Sequence, residues 1–212
     1  MDDAQKLIMK IRVLQKSEIG KLVDKRLKEF SRLFSEPEQV WFSELCFCIL
    51  AANAKGKNAL LIQQELGAKL QTLPEHDLAA FIRSKNHRFH NMKACYICLA
   101  REQKGFRKIL RRLIKDDEKK AREWLILHIR GIGMKEASHF LRNIGCEHFA
   151  IIDRHVLSIV VDHKVIKRPA SITKKVYLDC ERWLEEICHA LSMSQAELDL
   201  YLWYMKTGVV MK

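Results

Sequence analysis

The stretch Leu127-His128-Ile129-Arg130-Gly131-Ile132-Gly133-Met134-Lys135-Glu136-Ala137-Ser138 decides the fold. Apolar residues recur at helical spacing on both sides of it, and two glycines interrupt them. Glycine tolerates positive φ and close backbone approach, so Gly131-Ile132-Gly133 reads as a tight turn between two helices. Ile132, at the tip, is expected to pack inward and fix the angle between them. Met134 opens a helix that runs to Gly145, a residue suited to the left-handed position past a helix end. The N–H groups of Gly133, Lys135 and their neighbours are expected to point one way. Clusters of this kind bind anions.

Charge suggests which anion. Lys and Arg number 38 against 26 Asp and Glu in 212 residues, a net charge of +12. An excess of this size suits a polyanion, because each neutralised phosphate releases counterions. A phosphodiester is the natural ligand of the turn. Apolar residues make up 48% of the chain, enough for a packed core and against wholesale disorder. The first residues are acidic and polar rather than a basic-then-apolar leader, and no run approaches the ~18 apolar residues of a membrane span. With seven cysteines, an odd number, the expected setting is intracellular and reducing (cytoplasm or nucleoid), with thiols mostly free.

The same periodicity predicts helices near 3–15, 17–34, 38–52, 56–66, 75–84, 90–104, 107–114, 117–130, 134–144, 154–162, 171–189 and 194–206. Pro37, Pro74 and Pro169 fall before helices or at bends, and Ser194 with Glu197 has capping-box spacing. Val209-Val210-Met211 is the best strand candidate, and it is short. The expected fold class is all-α. Two helical lobes, approximately 1–52 with 160–212 and 53–159, carry the helix-hairpin-helix and place the active site in the cleft between them.

Lys135 lies in the first turn of its helix. The helix dipole disfavours a cation there by ~0.3–1 kcal/mol, and partial burial also favours the neutral amine a nucleophile needs. Asp153, in Ala150-Ile151-Ile152-Asp153-Arg154-His155-Val156, fits an N-cap whose carboxylate accepts helix N–H bonds and stays ionised. Together they supply a nucleophile and an anion able to stabilise a positive sugar. Read locally, Lys135 is equally a solvated surface group and Asp153 simply a cap. Cys95-x-x-Cys98 has metal-type spacing but no matching second pair, and reads as core cysteines. The basic run from Arg107 to Lys115 reads as a solvated face.

The hairpin, the lysine two residues after it and the aspartate of Asp153-Arg154-His155-Val156 resemble the helix-hairpin-helix DNA glycosylases. Gly131–Gly145, Ala150–Val156 and Glu197–Gly208 with Lys212 are similar to the archaeal-type 8-oxoguanine DNA glycosylases, the second Ogg class. Where the wider superfamily has Gly or Pro before the aspartate, Ile151-Ile152 stand here. The resemblance implies a bifunctional enzyme, a DNA N-glycosylase and abasic-site lyase. Lys135 would attack C1′ and displace the base, Asp153 would activate it, and β-elimination would nick the strand. It also implies a monomer, with no cofactor or metal, acting on DNA that contains 8-oxoguanine.

An extruded base needs a pocket. The resemblance maps two stacking residues onto Phe89 and Trp203, each worth ~1–3 kcal/mol to a flat base. It also gives the terminal carboxylate of Lys212 the N1–H and N2–H₂ donors of guanine. Gly131, Ile132 and Gly133 would hold the DNA backbone. A non-catalytic hairpin module, in which Lys135 only touches phosphate, and a glycosylase for another oxidised base are the competing readings. The carboxylate role predicts that residues added after Lys212 weaken excision far more than folding. Single-turnover excision and thermal melting of a C-terminally extended protein measure the two.

Overall fold

The structure is a computed structural model that describes residues 3–212, and among them all regular structure is helical. The helices are α1 Asp3–Gln15, α2 Glu18–Leu33, α3 Glu38–Ala51, α4 Gly56–Leu66, α5 Glu75–Ser84, α6 His90–Arg101, α7 Phe106–Asp116, α8 Glu118–His128, α9 Met134–Asn143, α10 Arg154–Asp162, α11 Lys174–Leu191 and α12 Gln195–Thr207. A 3₁₀ turn over Gly67–Gln71 follows α4. The tail after Gly208 is irregular, so Val209-Val210-Met211 is not a strand. The chain forms two compact units. One comprises residues up to Phe34 together with Gly145–Lys212; the other is Ser35–Ile144. Packing assigns α3 to the second unit and residues 145–159 to the first.

In the second unit α3 is the central helix. Trp41, Leu45, Phe47 and Ile49 are all buried, and α3 packs on α4, α6, α7 and α9. A helix apolar on every side belongs in a core. Trp41 meets Phe140 of α9 edge to face, ring centroids 6.0 Å apart. The one carboxylate in this interior, Glu44, is satisfied rather than stranded: Asn143 Nδ2 donates to it at 2.6 Å and Gln63 Nε2 at 3.3 Å. Asn143 Oδ1 in turn accepts from Arg142 Nη2 at 2.8 Å. The last carbonyls of α3 have no helical partner. Ile49 O accepts from Lys93 Nζ at 2.7 Å, and Leu50 O bonds His87 Nε2 at 2.8 Å.

The first unit is built from both ends of the chain. α1 packs on α2 and α11, while α12 packs on α2, α10 and α11. Two buried side chains pin the extended segment ahead of α10. Asp199 Oδ1 accepts from the N–H of Ile151 at 2.8 Å. Tyr177 Oη donates to Ala150 O at 3.1 Å and accepts from the N–H of Ile152 at 3.3 Å. Gly145, just past the end of α9, has φ +97°, and a Cβ there would lie 3.1 Å from Ser31 Cα and 3.2 Å from Phe30 O. Both the left-handed backbone and the contact with α2 exclude a side chain. Gly145→Ala is expected to lower unfolding free energy by about 2 kcal/mol, measured by urea titration.

Candidate active site

Each unit carries part of the constellation expected from the sequence. On the second unit, α8 ends at His128 and α9 begins at Met134. Gly131 has φ +83°, and a Cβ on it would fall 2.2 Å from Tyr96 Cδ2, a severe overlap with the ring. Only glycine fits beneath that tyrosine. Ile132 is buried, so the tip does pack inward. Gly133 is the N-cap of α9, in extended conformation.

One expectation needs correction here. The N–H of Gly133 is not open, because Glu136 Oε2 accepts from it at 3.3 Å. This is the capping-box contact, made with a glycine in the N-cap position. The other oxygen of the same carboxylate, Oε1, lies 3.1 Å from Lys135 Nζ, whose side chain is 30% exposed. Lys135 is therefore reachable from solvent and already paired.

Lys93 belongs to the same cluster. It is 3% exposed, in the first turn of α6. Burial pulls its amine down from 10.5 to about 8; the Glu136 carboxylate opposes this, and the Lys135 charge adds to it. Phe89 is the N-cap of α6, with φ 60° and ψ 29°, a left-handed conformation that a bulky residue rarely adopts. Its ring is 41% exposed, and the Arg88 guanidinium lies 4.8 Å from the ring centroid. The loop holding it is flanked by His87 and Lys93, the two residues anchored on the carbonyls of α3.

On the first unit, Asp153 caps α10. Its Oδ1 accepts from the N–H groups of His155 at 2.8 Å and Val156 at 2.9 Å. No hydrogen bond to its Oδ2 occurs among the described residues. The carboxylate is thus fixed through one oxygen and free to act through the other. Next to it, the ring of His155 meets Trp203 edge-on at 5.3 Å. Trp203 is half-buried on α12, and its indole N–H is buried with no acceptor among the described residues. Lys206 Nζ reaches Ser158 Oγ at 3.1 Å and Asp162 Oδ2 at 3.3 Å, tying α12 to α10. Lys212 is half-buried in the irregular tail.

The structure thus brings Lys135 and the hairpin together with Glu136 and Lys93 on one unit, and Asp153 together with Trp203 and His155 on the other. Sequence reasoning missed Glu136, Lys93 and His87. Glu136 stands three residues after Gly133, which is capping-box spacing. Lys93 occupies the buried face of α6 with Ala94, Ile97 and Ala100, a face that the spacing does mark. Cys95 and Cys98 are half-buried rather than core residues. Among the described residues no group of His, Cys, Asp and Glu could hold a metal, and no helix is long and apolar enough to cross a membrane.

A family model described as 8-oxoguanine DNA glycosylase (Ogg-HhH) matches residues 23–193. An 8-oxoguanine DNA glycosylase/AP lyase of Methanocaldococcus jannaschii is 42% identical over 207 residues, spanning 97% of this chain and 99% of that protein. The crystal structure of the 8-oxoguanine glycosylase/lyase of that organism, in complex with 15mer DNA containing 8-oxoguanine, matches with a TM-score of 0.94. It is 42% identical and covers 98% of this chain and 100% of the other. The 8-oxoguanine DNA glycosylase of Thermotoga maritima gives a TM-score of 0.90 at 37% identity, covering 99% and 100%.

Lys93 generates a prediction of its own. Its proton is lost more readily in the folded protein than in the unfolded chain, so the unfolded chain binds more protons between pH 8 and 10.5. In that window its contribution to stability rises with pH, by on the order of 3 kcal/mol in total. Urea titrations across that range should show a shallower rise, or a steeper fall, in Lys93→Met than in the wild type.

Proposed function

We propose a function from one premise: the chain belongs to the 8-oxoguanine DNA glycosylase family. It is a base-excision repair enzyme, both DNA glycosylase and abasic-site lyase. Its substrate is DNA containing 8-oxoguanine, which puts its work inside the cell, in cytoplasm or nucleoid. The observation that carries the reading is Lys135 in the first turn of α9, directly after the Gly131-Ile132-Gly133 turn, with its side chain 30% exposed.

The damaged nucleotide leaves the stack, because its C1′ cannot be reached within a duplex. Phe89 and Trp203 stack on the base, and the terminal carboxylate of Lys212 accepts from its guanine edge. The hairpin N–H groups hold a phosphate. The lone pair of Lys135 Nζ then attacks C1′. The C1′–N9 bond breaks, and its electron pair leaves with the base, which takes up a proton. Asp153 stabilises the positive charge that spreads over C1′ and the ring oxygen, and accepts the proton that the lysine gives up. Its capped, rigid carboxylate with an uncommitted Oδ2 suits both tasks. Ring opening gives an imine between C1′ and Lys135. Loss of a C2′ proton and cleavage of the C3′–O bond expel the 3′ phosphate and nick the strand. Water then hydrolyses the imine and frees the lysine.

Borohydride reduction tests this chemistry, because it converts the imine to a stable protein–DNA adduct. Wild-type protein with an 8-oxoguanine duplex should yield the adduct, and Lys135→Gln should not, while still binding DNA. Asp153→Asn should lower the single-turnover excision rate by roughly 10²-fold or more. No adduct from the wild type would leave the hairpin a DNA-binding module. Adducts on other damaged bases, but not on 8-oxoguanine, would change the lesion and keep the mechanism.

A further inference from the structure

Glu136 touches two working parts at once. Its Oε2 accepts the N–H of Gly133 at 3.3 Å, and its Oε1 pairs with Lys135 Nζ at 3.1 Å. The first is a hairpin donor for DNA phosphate, and the second is the nucleophile. A carboxylate and a phosphodiester are both anions that accept from backbone N–H groups at a helix start. In the free protein, then, the chain's own side chain occupies an anion position of the hairpin. The same side chain holds the amine in an ion pair, which directs it at the protein's own carboxylate.

We propose that Glu136 is a positioning residue that keeps Lys135 paired until DNA reaches the hairpin, when a phosphate displaces its carboxylate from Gly133 and releases the amine. The proposal rests on the phosphate-binding reading of the hairpin given above. Two observations favour displacement over persistence. The Gly133–Glu136 bond is long for one to a charged acceptor, where about 2.7–2.9 Å is usual, so it is weakly held. The displaced carboxylate also has a second cation to favour. Lys93, fixed on Ile49 O at 2.7 Å, feels Glu136 more strongly than any other charged neighbour. A buried ammonium benefits from such a counter-charge. The carboxylate therefore pairs with one lysine and acts on a second, which is anchored to α3.

Reductive methylation with formaldehyde and cyanoborohydride reads the first half of the proposal in free protein, with peptide mass spectrometry quantifying Lys135. Glu136→Gln retains an acceptor for Gly133 but loses the charge. It should raise the Lys135 labelling rate roughly 3- to 10-fold relative to exposed lysines of the same sample. An unchanged rate would overturn the pairing. The second half is read on the wild type, which avoids any loss of folding in the variant. The ¹³C resonance of the Glu136 carboxyl should shift on saturation with an undamaged duplex. A resonance that stays put while the duplex binds would overturn the displacement. Neither measurement uses a lesion, so both are separate from the adduct assay that decides the catalytic role of Lys135.

Discussion

A buried helix must find partners for its terminal backbone groups inside the protein, and α3 finds them at the entry to α6. With no water at hand, the carbonyls of Ile49 and Leu50 would each be costly if left bare. Lys93 and His87 supply the donors. These two residues bracket Phe89, so the demand made by α3 also fixes the loop that shows an aromatic ring to solvent. The left-handed backbone at Phe89 costs of order 1 kcal/mol or more and persists because both flanks are tied down. The same lysine, held in place for structural reasons, feels the charges of Glu136 and Lys135. Core packing and the electrostatics of the amine are thus joined through a single side chain.

Asp153 depends on a parallel arrangement. The three residues before it run extended, and their polar groups are claimed by Asp199 and Tyr177, from α12 and α11. The backbone enters α10 at a set angle, and the carboxylate turns back on the first N–H groups of that helix. Trp203 also projects from α12, so the aromatic ring and the segment leading to the carboxylate share one support. Two side chains of α12 thus serve different neighbours: Asp199 holds Ile151, and Trp203 meets His155.

Much of this could be read from residue order. Turn-forming glycines and prolines punctuate a regular apolar period, so the helices stand where the spacing puts them. Errors gather at the ends. α6 stops at Arg101 rather than continuing to 104, since Gly105 in the left-handed region starts α7 instead. α8 stops at His128 because Ile129 is already extended, leading into the hairpin. The cap at Asp153 was legible because an aspartate before an apolar run has few other uses. Glu136 was hidden by its partner: a glycine N-cap lacks the hydroxyl that makes the capping pattern recognisable. Lys93 was hidden by its own kind, one lysine in a chain rich in surface lysines; its place on the apolar face of α6 was the one local signal, and the carbonyl it meets lies 44 positions away. The contact of Phe89 with solvent depends on a backbone conformation that no local signal announces for phenylalanine.

The connectivity of the two units sets an order of events during synthesis. Residues 35–144 are contiguous, so the hairpin, Lys135 and Glu136 can take shape while the remaining polypeptide is still being translated. Helices α1 and α2 emerge long before α11 and α12, on which they pack, and must wait for them. The carboxylate of Asp153 gains its supports only when Tyr177 and Asp199 arrive. A nascent chain can therefore complete its hairpin while the segment leading to Asp153 still lacks its anchors.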